Sequence, residues 1–362
     1  MISSFSDNAT DANFDLSRNS LLNWLHEDDS AKLDILWRAA DEMRKNHVGD
    51  AVHLRGLIEI SNFCRRLCAY CGINADNHRV TRYRMTSDEI VASVKQAAQF
   101  RYGTVVLQAG EDYGLTKKSI EELIRRIKSE FDLAITLSLG ERSVDELTAW
   151  RKAGADRYLL RFETSNTELF ARIHPPLPGS TNQNRIELLK RLRELGYEIG
   201  SGVIIGIPGQ SYDDLVNDLE LFRDLDLDMI GVGPFIPHPH TLLGRSENNP
   251  AFNKFKSGEQ VPNSELMTYK VVALSRLLCP RANIPSTTAL ATLNSTDGRE
   301  LGLIRGANVL MPNLTPQQYR KHYEIYPNKA CLSEIDKQFD DYIKMRIKTI
   351  GRNIGTGPGS AL

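Results

Sequence analysis

Three of the chain's five cysteines fall in one stretch, Ser61-Asn62-Phe63-Cys64-Arg65-Arg66-Leu67-Cys68-Ala69-Tyr70-Cys71-Gly72. Their spacing is C-x3-C-x2-C. Thiolates this close on one loop can reach three corners of a cube-shaped iron–sulfur cluster. The fourth iron then has no protein ligand and is open to a small chelating molecule. Zinc is the alternative, and it asks for a fourth ligand that His53 or His78 could supply. Zinc sites, however, usually pair CxxC with a second CxxC or with spaced histidines, and neither is present. Arg65 and Arg66 make the loop polar, which speaks against a chance cluster of core cysteines. Cys279, in Leu277-Leu278-Cys279-Pro280, reads as a small buried hydrophobe.

Other segments carry residues suited to holding a polar ligand. Gln108-Ala109-Gly110-Glu111-Asp112 is a glycine-containing turn after an apolar run. In Arg161-Phe162-Glu163-Thr164 an arginine and a glutamate two apart share a face, which is costly unless they pair or bind a ligand. Gly200-Ser201-Gly202-Val203-Ile204-Ile205-Gly206-Ile207-Pro208-Gly209-Gln210 places glycines inside a strand, where they often mark close approach of a ligand. Because those glycines are not in a strand-to-helix turn, this is not a dinucleotide fingerprint.

The elements that position these residues alternate regularly. Residues 1–50 read as a helical extension, with apolar residues from Leu21 to Leu36 at helical spacing. Short apolar runs follow at 56–61, 104–108, 133–138, 157–161, 198–205, 229–232, 282–285 and 307–310. Helices are predicted between them at 86–101, 116–130, 143–153, 182–195, 211–225, 264–279 and 298–303. Thr86-Ser87-Asp88-Glu89 caps the first of these. Strict alternation with doubly apolar strands points to a parallel sheet covered by helices, and eight units favour closure as a (β/α)8 TIM barrel. The barrel spans 51–350, including a C-terminal helix. A glycine- and proline-containing tail, 351–362, reads as frayed. Sites in such barrels lie at the carboxyl ends of the strands, which is where each cluster above falls.

The cysteine spacing, with Tyr70 before the last cysteine and the loop directly after the first strand, resembles the signature of the radical S-adenosylmethionine (SAM) superfamily. The resemblance implies one [4Fe–4S] cluster on Cys64, Cys68 and Cys71, with SAM chelating the open iron. An electron from the cluster would cleave the sulfonium, giving methionine and a 5′-deoxyadenosyl radical. It also implies SAM contacts from Tyr70, from the Ala109-Gly110-Glu111 backbone, from Glu163 and Arg185, and from the Ile204 and Gly206 backbone. Wider segments, from Gly56-Leu57-Ile58-Glu59-Ile60-Ser61-Asn62 to Ala307-Asn308-Val309-Leu310-Met311-Pro312-Asn313, resemble the HydE-type [FeFe]-hydrogenase maturases. Biotin synthase and methylornithine synthase share the barrel but match these segments less well. The HydE resemblance implies a small cysteine-derived or amino-acid-like substrate. Arg161, Thr287 and Thr288 would hold its carboxylate, and Gln108, Met311, Tyr323 and Tyr326 would line its cavity. A methylornithine-synthase-like mutase, a HydE paralogue with a different substrate, and an iron–sulfur scaffold or carrier without catalysis are the competing readings.

Three departures from that pattern stand out. Cys331 matches the first cysteine of a second cluster site, but Phe339 and Tyr342 occupy the other two positions, so no second cluster is expected. Phe162 replaces a histidine and Ala109 replaces a serine. Charge is nearly balanced, at 45 basic against 46 acidic residues, so nothing draws the chain to nucleic acid or an anionic membrane. With no export leader and no membrane span evident, a cytoplasmic enzyme is expected. A ferredoxin or flavodoxin would be its electron donor, and other maturation proteins are possible partners.

Overall fold

The computed structural model describes residues 14–176, 184–245, 259–330 and 337–361. Two helices, α1 (Arg18–His26) and α2 (Ser30–Val48), precede the barrel and pack on its outer helices through Leu21, Leu25, Leu33 and Leu36. Then come β1 (Ala51–Ser61), α3 (Ser87–Gln99), β2 (Thr104–Ala109), α4 (Lys117–Glu130), β3 (Ala134–Ser138), α5 (Val144–Ala153) and β4 (Arg157–Leu159). The second half holds α6 (Thr167–Ile173), α7 (Arg185–Glu194), β5 (Glu198–Ser201), β6 (Ile204–Ile205), α8 (Tyr212–Asp224), β7 (Met229–Ile230) and β8 (Gly233–Pro234). It ends with α9 (Glu265–Leu278), α10 (Thr288–Leu293), α11 (Gly298–Leu303), β9 (Val309–Leu310), α12 (Gln317–Arg320), α13 (Lys337–Thr349) and β10 (Asn353–Ile354).

Helix starts follow local chemistry. Thr86, Ser143 and Ser211 each cap a helix in a reciprocal box with Glu89, Glu146 and Asp214. The parallel ladder runs β1-β2-β3-β4-β5-β7, and β9 pairs with β1. Between β7 and β9 the chain at 283–285 supplies bridges Met229↔Asn283 and Pro285↔Val309, which close the ring. Pro285 has no N–H to donate, so this seventh strand is two bridges rather than a regular ladder. No helix among the described residues is long and apolar enough to cross a membrane.

Three expectations needed correction. The first strand begins at Ala51, five residues earlier than predicted, because His53 and Arg55 interrupt its apolar pattern yet belong to the ladder. The predicted strand 198–205 breaks after Ser201. A Cβ on Gly202 would lie 1.8 Å from the Gly231 carbonyl, so a glycine lets the two chains cross there. β6 then leaves the ring and pairs with β8.

The tail is not frayed. It enters the base of the barrel, where Arg55 Nη2 and Asn283 Nδ2 donate to the Gly359 carbonyl at 2.9 and 3.0 Å. Thr104 Oγ1 and Arg157 Nη2 donate to the Pro358 carbonyl at 2.8 and 3.0 Å. Both arginines are buried, and Arg157 also pairs with Glu198 at 2.6 Å. Burial in this layer, helped by the neighbouring Arg157, pulls Arg55 down to about 9.

Candidate active site

The cysteine loop is pinned at both ends by polar contacts. Arg82 donates to the carbonyls of Asn62, Ile73 and Asn74 at 2.6–2.7 Å. Ser61 Oγ donates to Asp112 at 2.7 Å, and Asp112 pairs with Arg84. The Ala69 amide donates to the Ile173 carbonyl, and the Gly72 amide to that of Ile325. Gly110 has to be glycine, because a Cβ there would lie 2.3 Å from the Phe63 carbonyl and 2.8 Å from Cys64 Cβ. The end of β2 therefore lies directly against the first cysteine.

Cys64, Cys68 and Cys71 all line one cavity of about 330 Å3 at the carboxyl ends of the strands. Burial pushes all three thiols up, Cys71 to about 12. As free thiols they hold their protons, and iron must displace those protons to bind. The residues fit a cluster: soft sulfur donors on one loop, facing a cavity with room for a further ligand. His53, one candidate for a fourth zinc ligand, lies instead at the barrel base, against Gly355 and Gly359. Cys279 is buried in the apolar core as expected, and Cys331 lies outside the described residues.

Tyr70, Gln108, Ala109, Gly110 and Glu111 line the same cavity as the cysteines. So do Arg161, Glu163, Arg185, Ile204, Thr287, Thr288, Met311, Tyr323 and Tyr326. Gly206 does not. Its amide donates to Gln210 Oε1 at 2.6 Å, its φ is +78°, and a Cβ would strike the Asn263 backbone. It shapes the turn after β6. Phe162 packs against Phe222 in the core behind β4, with ring centroids 5.7 Å apart. Of the two substitutions near the site, only Ala109 therefore faces the cavity.

The cavity walls hold paired charges. Arg161 meets Glu163 at 3.0 Å and donates to the Val203 carbonyl at 2.6 Å. Tyr70 OH lies 3.5 Å from Glu163, whose φ of +65° is held by its amide bond to the Gly202 carbonyl. Arg66 bridges Glu111 at 2.7 Å and Glu141 at 2.5 Å, and Arg185 joins Glu141 at 2.9 Å. Arg161 Nε and Thr287 Oγ1 are both buried without a hydrogen-bond partner. Both residues line the cavity, and a guanidinium beside a hydroxyl suits an incoming carboxylate.

Sequence reasoning missed His174, Glu141, Arg66 and the pair Glu59–Lys329. The signal for the last was legible: Glu59 sits alone in an apolar strand, where a charge demands a partner. His174 Nε2 accepts from Arg185 Nη2 at 2.5 Å; burial first, then the Arg185 charge, depresses it to about 2 from an ordinary 6.5. Below pH 6.5 the unfolded chain takes up a proton that the folded His174 refuses. Its contribution to stability is thus complete above pH 6.5 and is lost as pH falls toward about 2. Urea unfolding above and below pH 6.5 checks this. The wild type should lose about 1.4 kcal/mol per pH unit more than His174→Phe.

Residues 58–222 match the family model described as the radical SAM superfamily. The chain is 43% identical over 341 residues to the [FeFe] hydrogenase maturase subunit HydE of Thermotoga maritima, covering 94% of this chain and 92% of that protein. It is 28% identical to 3-methylornithine synthase of Methanosarcina acetivorans, over 93% and 90% of the two chains. The crystal structure of methylornithine synthase superposes with a TM-score of 0.80 at 25% identity, covering 95% of each chain. With a cysteine loop, barrel and cavity of this form, the chain belongs to the radical SAM superfamily, in the family of the hydrogenase maturase HydE.

Proposed function

We propose that the chain works in [FeFe]-hydrogenase maturation, acting with SAM on a small cysteine-derived or amino-acid-like substrate. Cys64, Cys68 and Cys71 would hold the cluster, which would supply the electron for cleaving SAM to methionine and a 5′-deoxyadenosyl radical. The protein's own part is placement. Arg185, Glu163 and the Ala109-Gly110-Glu111 backbone would hold SAM beside the cysteine loop, with Tyr70 in contact with it. Arg161, Thr287 and Thr288 hold the substrate carboxylate in the same chamber, with Gln108, Met311, Tyr323 and Tyr326 around it. The carrying observation is that Arg161 and Thr287, whose Nε and Oγ1 are buried without a hydrogen-bond partner, line the same cavity as the three cysteines. We also propose a single cluster, because Phe339 and Tyr342 of α13 bear no thiol, and a cytoplasmic enzyme served by a ferredoxin or flavodoxin.

Anaerobic reconstitution with iron and sulfide, then dithionite and SAM, tests the reading: 5′-deoxyadenosine should form, and its absence would sink the claim. Arg161→Lys keeps the charge but loses the planar fork, so binding of a cysteine-derived carboxylate should weaken about tenfold or more. A methylornithine-synthase-like mutase is the second reading, favoured by the TM-score of 0.80. Formation of 3-methylornithine from its straight-chain isomer by the reconstituted protein would establish it instead.

A further inference from the structure

We infer that Asp218, on α8, is a positioning residue for Glu163. It holds the turn after β4 in the shape that presents the Glu163 carboxylate to SAM. This rests on Glu163 contacting SAM, as proposed above.

Glu163 lines the cavity, yet its backbone is in an unfavourable state. Its φ is +65°, the left-handed region where a Cβ crowds the backbone. The Thr164 amide donates back to the Phe162 carbonyl at 2.8 Å, closing a three-residue turn with Glu163 at its apex. With a positive φ at the apex this is the rare, strained kind of γ-turn. A glutamate stays in it only where the surroundings over-determine the backbone. The barrel supplies one side of the clamp. The Glu163 amide donates to the Gly202 carbonyl at 3.0 Å, and the Ile204 amide donates to the Glu163 carbonyl at 3.2 Å.

The outer helix α8 supplies the other side. Asp214, Asp218 and Phe222 follow at four-residue spacing and are all buried on one face of it. Each takes hold of a residue beside Glu163. The Phe222 ring packs on Phe162. Asp218 Oδ1 accepts from the Ser165 amide at 2.6 Å, and Asp214 Oδ1 accepts from Asn166 Nδ2 at 2.9 Å. Asp214 has a second task, because its other oxygen accepts from Ser211 in the cap of α8. Asp218 has none. It is fully buried, and among the described residues no cation pairs with it. Burial lifts its carboxyl to about 7 against the Ser165 hydroxyl and amide, and the Asp214 and Glu163 charges add to the rise. A buried carboxyl without a countercharge is a poor way to gain stability, and a leucine among Leu215, Leu219 and Phe222 would avoid that cost. What the carboxyl does provide is a strong acceptor for an amide two residues past Glu163. With Gly202 on one side and Asp218 on the other, the strained turn is fixed at both ends.

Calorimetric titration of SAM into the reconstituted protein is the test. Asp218→Leu should raise the SAM dissociation constant about tenfold, as expected for losing a hydrogen bond to a charged acceptor. The brown colour should persist, and 5′-deoxyadenosine formation at saturating SAM should stay within about twofold of the wild type. Asp218→Ala, which asks for no extra space, is the second variant and should behave as leucine does. Asp218→Asn keeps an acceptor oxygen for Ser165 and should bind SAM within about threefold of the wild type. Because Asp218 acts through Glu163, the cost of Asp218→Leu should shrink to about twofold or less when Glu163→Ala has already removed the contact. Wild-type affinity in Asp218→Leu, an asparagine no better than leucine, or an equal cost in both backgrounds overturns the proposal. A fall in colour or in the rate at saturating SAM overturns it too, since that marks a general loss of structure. Unchanged SAM affinity in Glu163→Ala alone would instead overturn the placement of Glu163 on SAM beneath it.

Discussion

Cys68→Ser is expected to give a colourless protein that makes no 5′-deoxyadenosine from SAM and dithionite. The substitution exchanges one atom in a buried side chain, so the barrel should fold as before. What changes is the donor set. Cys68 sits between Cys64 and Cys71 on the same loop, and losing the central thiolate leaves two where the cluster needs three. Cys279→Ser is the matched control. That thiol is buried in the core away from the cavity, so the brown colour and SAM cleavage should persist. A brown, active Cys68→Ser would remove the basis for placing the cluster on this loop.

The second large effect concerns the barrel base. Deleting residues 355–362 removes the carbonyl acceptors of Arg55 and Arg157 and the plug between the strands. Hydrogen bonds to charged groups contribute about 1.5–3 kcal/mol each, and these two set the scale of the expected loss. Urea unfolding of both chains measures it, and a double-mutant cycle assigns it. Arg55→Gln should be costly in the full chain and nearly neutral in the shortened one, because its acceptor is already gone. Equal costs in both would mean that the tail does not hold Arg55.

Much of the fold was legible because its signals are local. Thr86 announced a helix start, and the cysteine spacing together with its place after a strand announced the site. What escaped was set by distant neighbours. His53 and Arg55 look wrong for a strand until the tail and the facing arginine are known. Gly202 reads as strand interior until the Gly231 carbonyl takes the space of its Cβ. Phe162 looked like a change beside the chemistry, but β4 turns that ring into the core and leaves Ala109 at the cavity. Lys329 and Glu59 are 270 positions apart, and of the two only Glu59 stands out in the sequence, as a charge among apolar neighbours.

One feature of β1 bears on how the molecule is made. This strand pairs with β2 close by in sequence, but its other edge is completed by residues 309–310 and 353–354. While the intervening chain leaves the ribosome, that edge stays open, and an open strand edge invites pairing with other chains. Contacts so far apart in sequence also form slowly, since loop-closure entropy precedes any reward. The nascent protein thus passes through a long stage as an unclosed sheet carrying its three thiols, and protection during that stage will influence how much intact enzyme a cell obtains.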